Sequence, residues 1–238
     1  MNFENMLRYC ALLEQHNDRA WFHEKENYRL YTAAKSDFTE LVELLKFRVA
    51  SVASPDLAEG LIFADAKSLL YRIPRDMRVH KNQLPYNPSW RADLSAGRHT
   101  ELPLGYYLRI QPGGRSHFGT GAWCWEAEQF YQVRSRISLH YAEFLEALDA
   151  SGLPLWGEGK LKKVPADFDP ADPAAEYLKY KSWLVCREFS DAELTDFEAF
   201  GDLAAEAAER MEPLRQFMNA ALAGPRRDPL RASDWDAR

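Results

Sequence analysis

Apolar residues recur at a helical spacing towards both ends of this chain and at a strand spacing in its middle, and that switch restricts the architecture more than any single motif. Phe3 to His16 and Arg19 to about Ser51 read as helices, the second through Trp21, Tyr28, Tyr31, Phe38, Leu41, Leu45 and Val49. Asn17-Asp18 supplies a stop and a new cap between them, and the length of the second predicts a kink near Ala33 or Ser36. Trp90 to Leu94, Tyr106 to Ile110 and His117 to Trp123 are strand-sized, and Pro112-Gly113-Gly114 predicts a hairpin joining the last two. A further strand is expected at Trp183 to Phe189, with shorter ones at Leu69 to Tyr71 and Leu155 to Leu161. Helical spacing returns over Glu126 to Ala150, where Ser151-Gly152 ends it, and over Ala174 to Lys181 behind the Asp172-Pro173 cap. Ser190 to Glu193 has capping-box spacing before a last helical region that reaches about Leu222, with Gly201 and Pro213 as expected interruptions. Strands joined by short turns need no crossover helix, which favours an antiparallel sheet. The expectation is one α+β domain over residues 1–223, an antiparallel sheet packed against several long helices, followed by a loose tail over 224–238 in which Trp235 could dock.

Composition excludes several classes. Hydrophobic residues at 46% and charged residues at 28% exclude wholesale disorder. Cys10, Cys124 and Cys186 lie far apart without paired spacing, so neither a zinc knuckle nor a disulfide framework is indicated and a reducing cytoplasm is expected. No window approaches the roughly 20 apolar residues that span a bilayer, and no export signal is visible, so no membrane partner is expected. Charge is uneven: Tyr71 to Arg115 holds eight Lys or Arg against three Asp or Glu, leaving −11 on the remainder of a chain whose net charge is −6. Such a body repels duplex nucleic acid, while a local basic cleft could still capture a small anion.

Within that basic stretch, Arg72, Arg75, Arg78 and Lys81 recur every third residue. A polyproline segment turns once in about three residues and would align the four on one edge, and Pro74 and Pro85 fit an extended backbone. Guanidinium groups recognise phosphate, sulfate or carboxylate through forked, charge-assisted bonds. An internal network with Asp76 and acids of the long helices is an equal alternative. On the first reading the ligand-binding residues are Arg72, Arg75, Arg78, Lys81, Tyr86, Tyr107 and Lys162, the last from Gly159-Lys160-Leu161-Lys162-Lys163-Val164-Pro165. Asp76 could then orient the arginines or act as a base, and His80 has the intrinsic pKa of a general acid or base.

Other clusters have plainer explanations. Asp167, Asp169 and Asp172 lack the spacing of a calcium loop and fit turns and a cap, so no metal and no cofactor is expected. Gly113, Gly114, Gly119 and Gly121 around His117 fit a hairpin with a bulge, and Cys124 between two tryptophans fits burial.

Four segments resemble one known family. Asn17-Asp18-Arg19-Ala20-Trp21-Phe22 with Tyr28 is similar to its N-terminal motif; Arg72-Ile73, Arg75-Asp76, Arg78, Lys81 and Pro85-Tyr86 are similar to its central box. Gly105-Tyr106-Tyr107, Gly121 and Trp123 resemble its glycine and aromatic segment, and Leu161 to Pro165 with Phe168-Asp169, Pro173, Leu178 and Lys181 its C-terminal motif. The family is the bacterial and fungal group called domain of unknown function 2461, and the resemblance covers roughly Phe3 to Leu222. It implies one α+β domain and brings no reaction, cofactor or catalytic residue. Val79, His80, Asn82, Gln83 and Leu84 depart from the family's Phe, Ser, Asp, Lys and Thr. Ala166-Asp167 replaces its basic residue and glycine, and Asp172 its frequent His.

The functional expectation is a protein of uncertain catalytic status that binds a small anionic molecule. A module receiving an acidic segment of a protein partner, and a nucleic-acid binder or nuclease, are the alternatives.

Overall fold

The computed structural model describes residues 3–79, 81–95, 102–124, 126–156 and 159–225. Four antiparallel strands, β1 (Trp90–Leu94), β2 (Tyr106–Ile110), β3 (Ser116–Trp123) and β4 (Ser182–Phe189), lie in sequence order in one sheet. Period-two alternation divides its faces. Trp90, Ala92, Tyr106, Leu108, Phe118 and Val185 are buried on one face against the helices. The other face is polar. This is the expected α+β domain, and none of the described helices is long and apolar enough to cross a membrane.

Two 26-residue helices carry the packing, α3 (Lys25–Ala50) and α9 (Phe197–Leu222), preceded by α1 (Glu4–Gln15) and α2 (Arg19–His23). Helix α1 buries Met6, Tyr9, Cys10 and Leu13, the spacing that lays one stripe on the core. Asp18 accepts a bond from the Trp21 amide at 2.9 Å and so caps α2. The interruption of this region falls at Glu24, whose backbone is extended at φ −59 and ψ 137, and α3 then runs unbroken past Ala33 and Ser36. Helix α9 likewise passes through Gly201 and Pro213 without interruption. A Cβ at Gly201 would come within 2.5 Å of Leu44 Cδ2, so the glycine permits close approach of α3 and α9. Pro213 and Glu209 are exposed, so water can take over the carbonyl that proline leaves without a donor.

Shorter elements correct the sequence expectation locally. Leu69 ends a helical turn, α5 (Ala66–Leu69), after α4 (Pro55–Phe63), and Leu70 makes only a single bridge to Ala92. The region from Glu126 to Ala150 is two helices, α6 (Ala127–Leu139) and α7 (Tyr141–Ser151), broken where His140 adopts φ −127 and ψ 45. In the region of the expected strand Leu155 to Leu161, of which 157 and 158 lie outside the described residues, Trp156 and Lys160 make isolated bridges to Leu184 and Tyr180, and α8 is one turn, Ala175–Leu178. The Ser190 capping box closes a 3-10 turn, Asp191–Glu193, and α9 starts later, capped by Asp196. The expected tail lies, from residue 226 with Trp235, outside the described residues.

A buried ionic network fastens α9 to the rest. Arg215, fully buried, donates to both oxygens of Glu212 at 2.7 Å, to the Leu104 carbonyl at 2.6 Å, and to Ser54. Tyr106 Oη donates to Glu212 at 2.6 Å. Burial alone would raise the Glu212 carboxyl, but these bonds and the Ser54 amide outweigh it and hold the carboxyl down at about 2.

Candidate functional site

The basic box is a hairpin. Pro74 bridges to Tyr86, the Arg75 amide donates to the Pro85 carbonyl at 2.8 Å, and the Asn87 amide to Ile73 at 2.9 Å. Asp76 makes the turn: its carboxylate accepts the Arg78 amide at 3.0 Å, while its carbonyl accepts the Val79 amide at 3.1 Å. A chain that reverses here cannot continue as polyproline, so the four cations do not share an edge. The Asn17 side chain clamps the far arm, donating to the Tyr86 carbonyl and accepting from the Tyr86 amide, both at 2.9 Å. Phe22 then stacks on the Tyr86 ring with centroids 4.3 Å apart, burying it to 4% exposure.

Its anchored arm delivers Arg75 to the edge of the sheet's polar face. Arg75 spends one nitrogen on the carbonyls of Leu84 (2.9 Å) and Tyr86 (2.6 Å), and its charge meets two others. Strand pairing puts Arg91 directly opposite Arg109, and Arg109 directly opposite His117. Burial first, then the charges of Arg91 and Arg109, push the Arg75 guanidinium down; burial and the charge of Arg91 do the same to Arg109, against Tyr107. Carboxylates border the cluster: Glu14, paired with Arg115, also feels the charge of Arg109, and Asp93 stands two residues from Arg91 on the same face, directly opposite Tyr107. Moreover, the Nε atoms of Arg91 and Arg109 are buried without a hydrogen-bond partner.

Aromatic rings cross the same face. Tyr71 packs edge-on to Tyr107 at 5.9 Å with Arg91 over its ring at 5.1 Å; Tyr107 meets His117 at 5.7 Å, and His117 meets Trp156 at 5.5 Å. Burial, then the charge of Arg109, push His117 down to about 4, so its imidazole is neutral near pH 7. Cys186 lies over Gly119, where an added Cβ would come within 2.4 Å of its sulfur. Burial pushes that thiol, like Cys124, up to about 12, which makes both poor nucleophiles.

Comparison with known families follows from this geometry. The family model described as "Conserved hypothetical protein (DUF2461)" matches residues 5–217. The chain belongs to this family. Neither a curated protein nor a solved structure matches it.

The DUF2461 motifs take distinct physical parts in the fold. The N-terminal motif is the clamp that holds the central box, and Tyr107 of the glycine and aromatic segment reaches the arginine cluster. In the C-terminal motif Arg134 of α6, itself outside the motif, holds the carbonyls of Leu178 (2.7 Å) and Tyr180 (3.0 Å). Of the residues singled out by sequence, Arg75 and Tyr107 therefore meet, joined by Arg91, Arg109, Tyr71, His117 and Trp156. Arg72 instead lines a groove of about 700 Å³ with Lys35, Lys67 and Tyr31. Arg78 pairs with Asp76 at 2.7 Å on a side chain 90% exposed, and Lys81 and Lys162 are exposed as well. His80 lies outside the described residues. Asp169 and Asp172 accept the amides of Ala171 (2.8 Å) and Ala174 (2.7 Å), the turn and cap roles expected for them. Arg91 and Arg109 were marked only by the basic surplus of their region, since they lie on separate strands and only the β1–β2 register brings them together.

Proposed function

We propose that the polar face of the sheet binds a small anion bearing a phosphate or carboxylate group, held by Arg75, Arg91 and Arg109 with Tyr107 beside them. One observation carries this reading: strand register and the basic hairpin gather three guanidiniums close enough to perturb one another on one face of the sheet, and two of their Nε donors have no partner. A buried donor left unpaired costs about 1–3 kcal/mol, while a hydrogen bond from a charged donor contributes about 1.5–3 kcal/mol. An anion supplies the opposite charge that the three guanidiniums attract. The three cysteines are free, which supports placing the protein in a reducing, cytoplasmic setting.

Thermal unfolding in inorganic phosphate or sulfate, against chloride at equal ionic strength, tests the reading. A ligand at 100 times its dissociation constant stabilises by about 2.7 kcal/mol, or about 5–10 °C for a chain of this size. Arg75→Ala and Arg109→Ala should lose the shift. Equal unfolding temperatures in all three salts would remove the basis for the proposal.

A further inference from the structure

Building on the anion reading above, we propose that the ligand also carries a planar ring, and that this ring stacks on Trp156 at the end of the polar face away from the arginines. The face is divided along its length. Arg75, Arg91 and Arg109 gather towards the β1 edge, whereas the β4 side carries indoles. Trp156 lies outside the strands, and its amide donates to the Leu184 carbonyl at 2.7 Å, which fixes it against β4. From there the indole reaches back over the face to His117, 5.5 Å away, yet the residue remains 40% exposed. Trp123, whose register partner is Ser182, lies six residues beyond His117 along β3 and is 52% exposed.

Those two exposures differ from what the core does with the same residue. Trp90 and Trp183 are 3% and 0% exposed. Trp156 therefore offers an exposed ring face beside the cationic cluster, the kind of surface another molecule can cover. The occupant must also answer the cations at the opposite end, so it is one molecule with two chemistries. His117 separates the ends; as a neutral ring it does not extend the cationic patch. Arg109 and His117 are neighbours across one strand spacing of about 5 Å, and the indole lies one ring contact further, so anion and ring centre should be about 10 Å apart or less. A phosphate or carboxylate linked through a sugar-sized spacer to a flat heterocycle has that span.

Calorimetric titration with inorganic phosphate, ribose 5-phosphate and adenosine 5′-monophosphate tests the inference. Stacking on an aromatic side chain should make the ring-bearing probe bind about tenfold tighter than ribose 5-phosphate, or more. Trp156→Ala should erase that advantage and keep the affinity for inorganic phosphate, and Trp156→Phe should restore part of it. The Trp156 amide makes the bridge to β4, so both substitutions leave it in place. Equal affinities for the ringed and ringless esters in the unaltered protein would overturn the ring inference while leaving the anion site standing. Persistence of the advantage in Trp156→Ala would overturn the placement on Trp156. Failure of all three probes to bind would overturn the anion reading itself, and the inference with it.

Discussion

Replacing Arg109 by methionine should make the protein more stable, the opposite of what most substitutions do. Arg109 stands directly opposite Arg91 across β1 and β2, partly buried, with its Nε unpaired and its side chain bonded to Gln111. Like charges in direct cross-strand positions cost up to about 1 kcal/mol. The unpaired donor adds about 1 kcal/mol or more. Against these stands the lost bond to the Gln111 side-chain carbonyl oxygen, about 1 kcal/mol. Methionine keeps most of the packed stem, so the net effect should be a gain of about 1 kcal/mol, read as a higher urea midpoint at unchanged slope. The same variant should lose the phosphate-dependent rise in unfolding temperature. Destabilisation by 1 kcal/mol or more would mean that the arginine is held by satisfied contacts and that no charge conflict exists on the polar face.

Arg78→Ala should leave both phosphate stabilisation and the unfolding temperature in chloride unchanged, since its pair with Asp76 is exposed; this separates the folded cluster from the spacing-of-three ridge in a single thermal scan. Asn17→Ala removes both bonds to the Tyr86 backbone and should cost about 2 kcal/mol by urea unfolding, with weakened phosphate binding because Arg75 is mounted on the released arm. Glu212→Gln should cost about 3 kcal/mol at pH 7 and flatten the acid limb of the stability curve. The Glu212 carboxyl is held at about 2 against an ordinary 4.5, so its contribution is complete above pH 4.5 and is lost as pH falls towards 2. Equal pH dependence in Glu212→Gln and the unaltered chain, measured by urea unfolding from pH 7 to 3, would contradict that assignment.

Much of the fold was legible in the sequence because its signals are local. The stripe Met6, Cys10, Leu13 and the alternation through Trp90, Ala92, Leu94 follow from periods of 3.6 and 2 residues, and Gly152 ends α7 in the left-handed conformation expected there. The breaks at Glu24 and His140 were not legible, because the apolar pattern continues through both and no glycine or proline marks them. The site was half legible. Spacing in the basic box depends on backbone conformation, and the turn at Asp76 cancels the polyproline period on which the alignment of Arg72, Arg75, Arg78 and Lys81 relied. Tyr86 looked like a surface ring beside a proline, but the Asn17 clamp and Phe22, distant in sequence, bury it. Arg91 and Arg109 gain their meaning from strand register, which no local window contains.

One residue type serves two opposite purposes in this chain, and the difference explains why the polar face is the place to look for a ligand. Arg215 has a carboxylate, a carbonyl and a hydroxyl arranged around it; Arg134 has two carbonyls and the faces of Phe130 and Trp183; Arg187 has Glu193 at 3.1 Å and the ring of Phe189. Each of these guanidiniums is satisfied and ties two elements together, so its desolvation is offset within the chain. Arg91 and Arg109 are desolvated too, yet the register that buries them sets them against each other and against Arg75. Here the strand register sets like charges side by side, an arrangement from which folding stability gains little. That surplus of positive charge is what the proposed anion would answer.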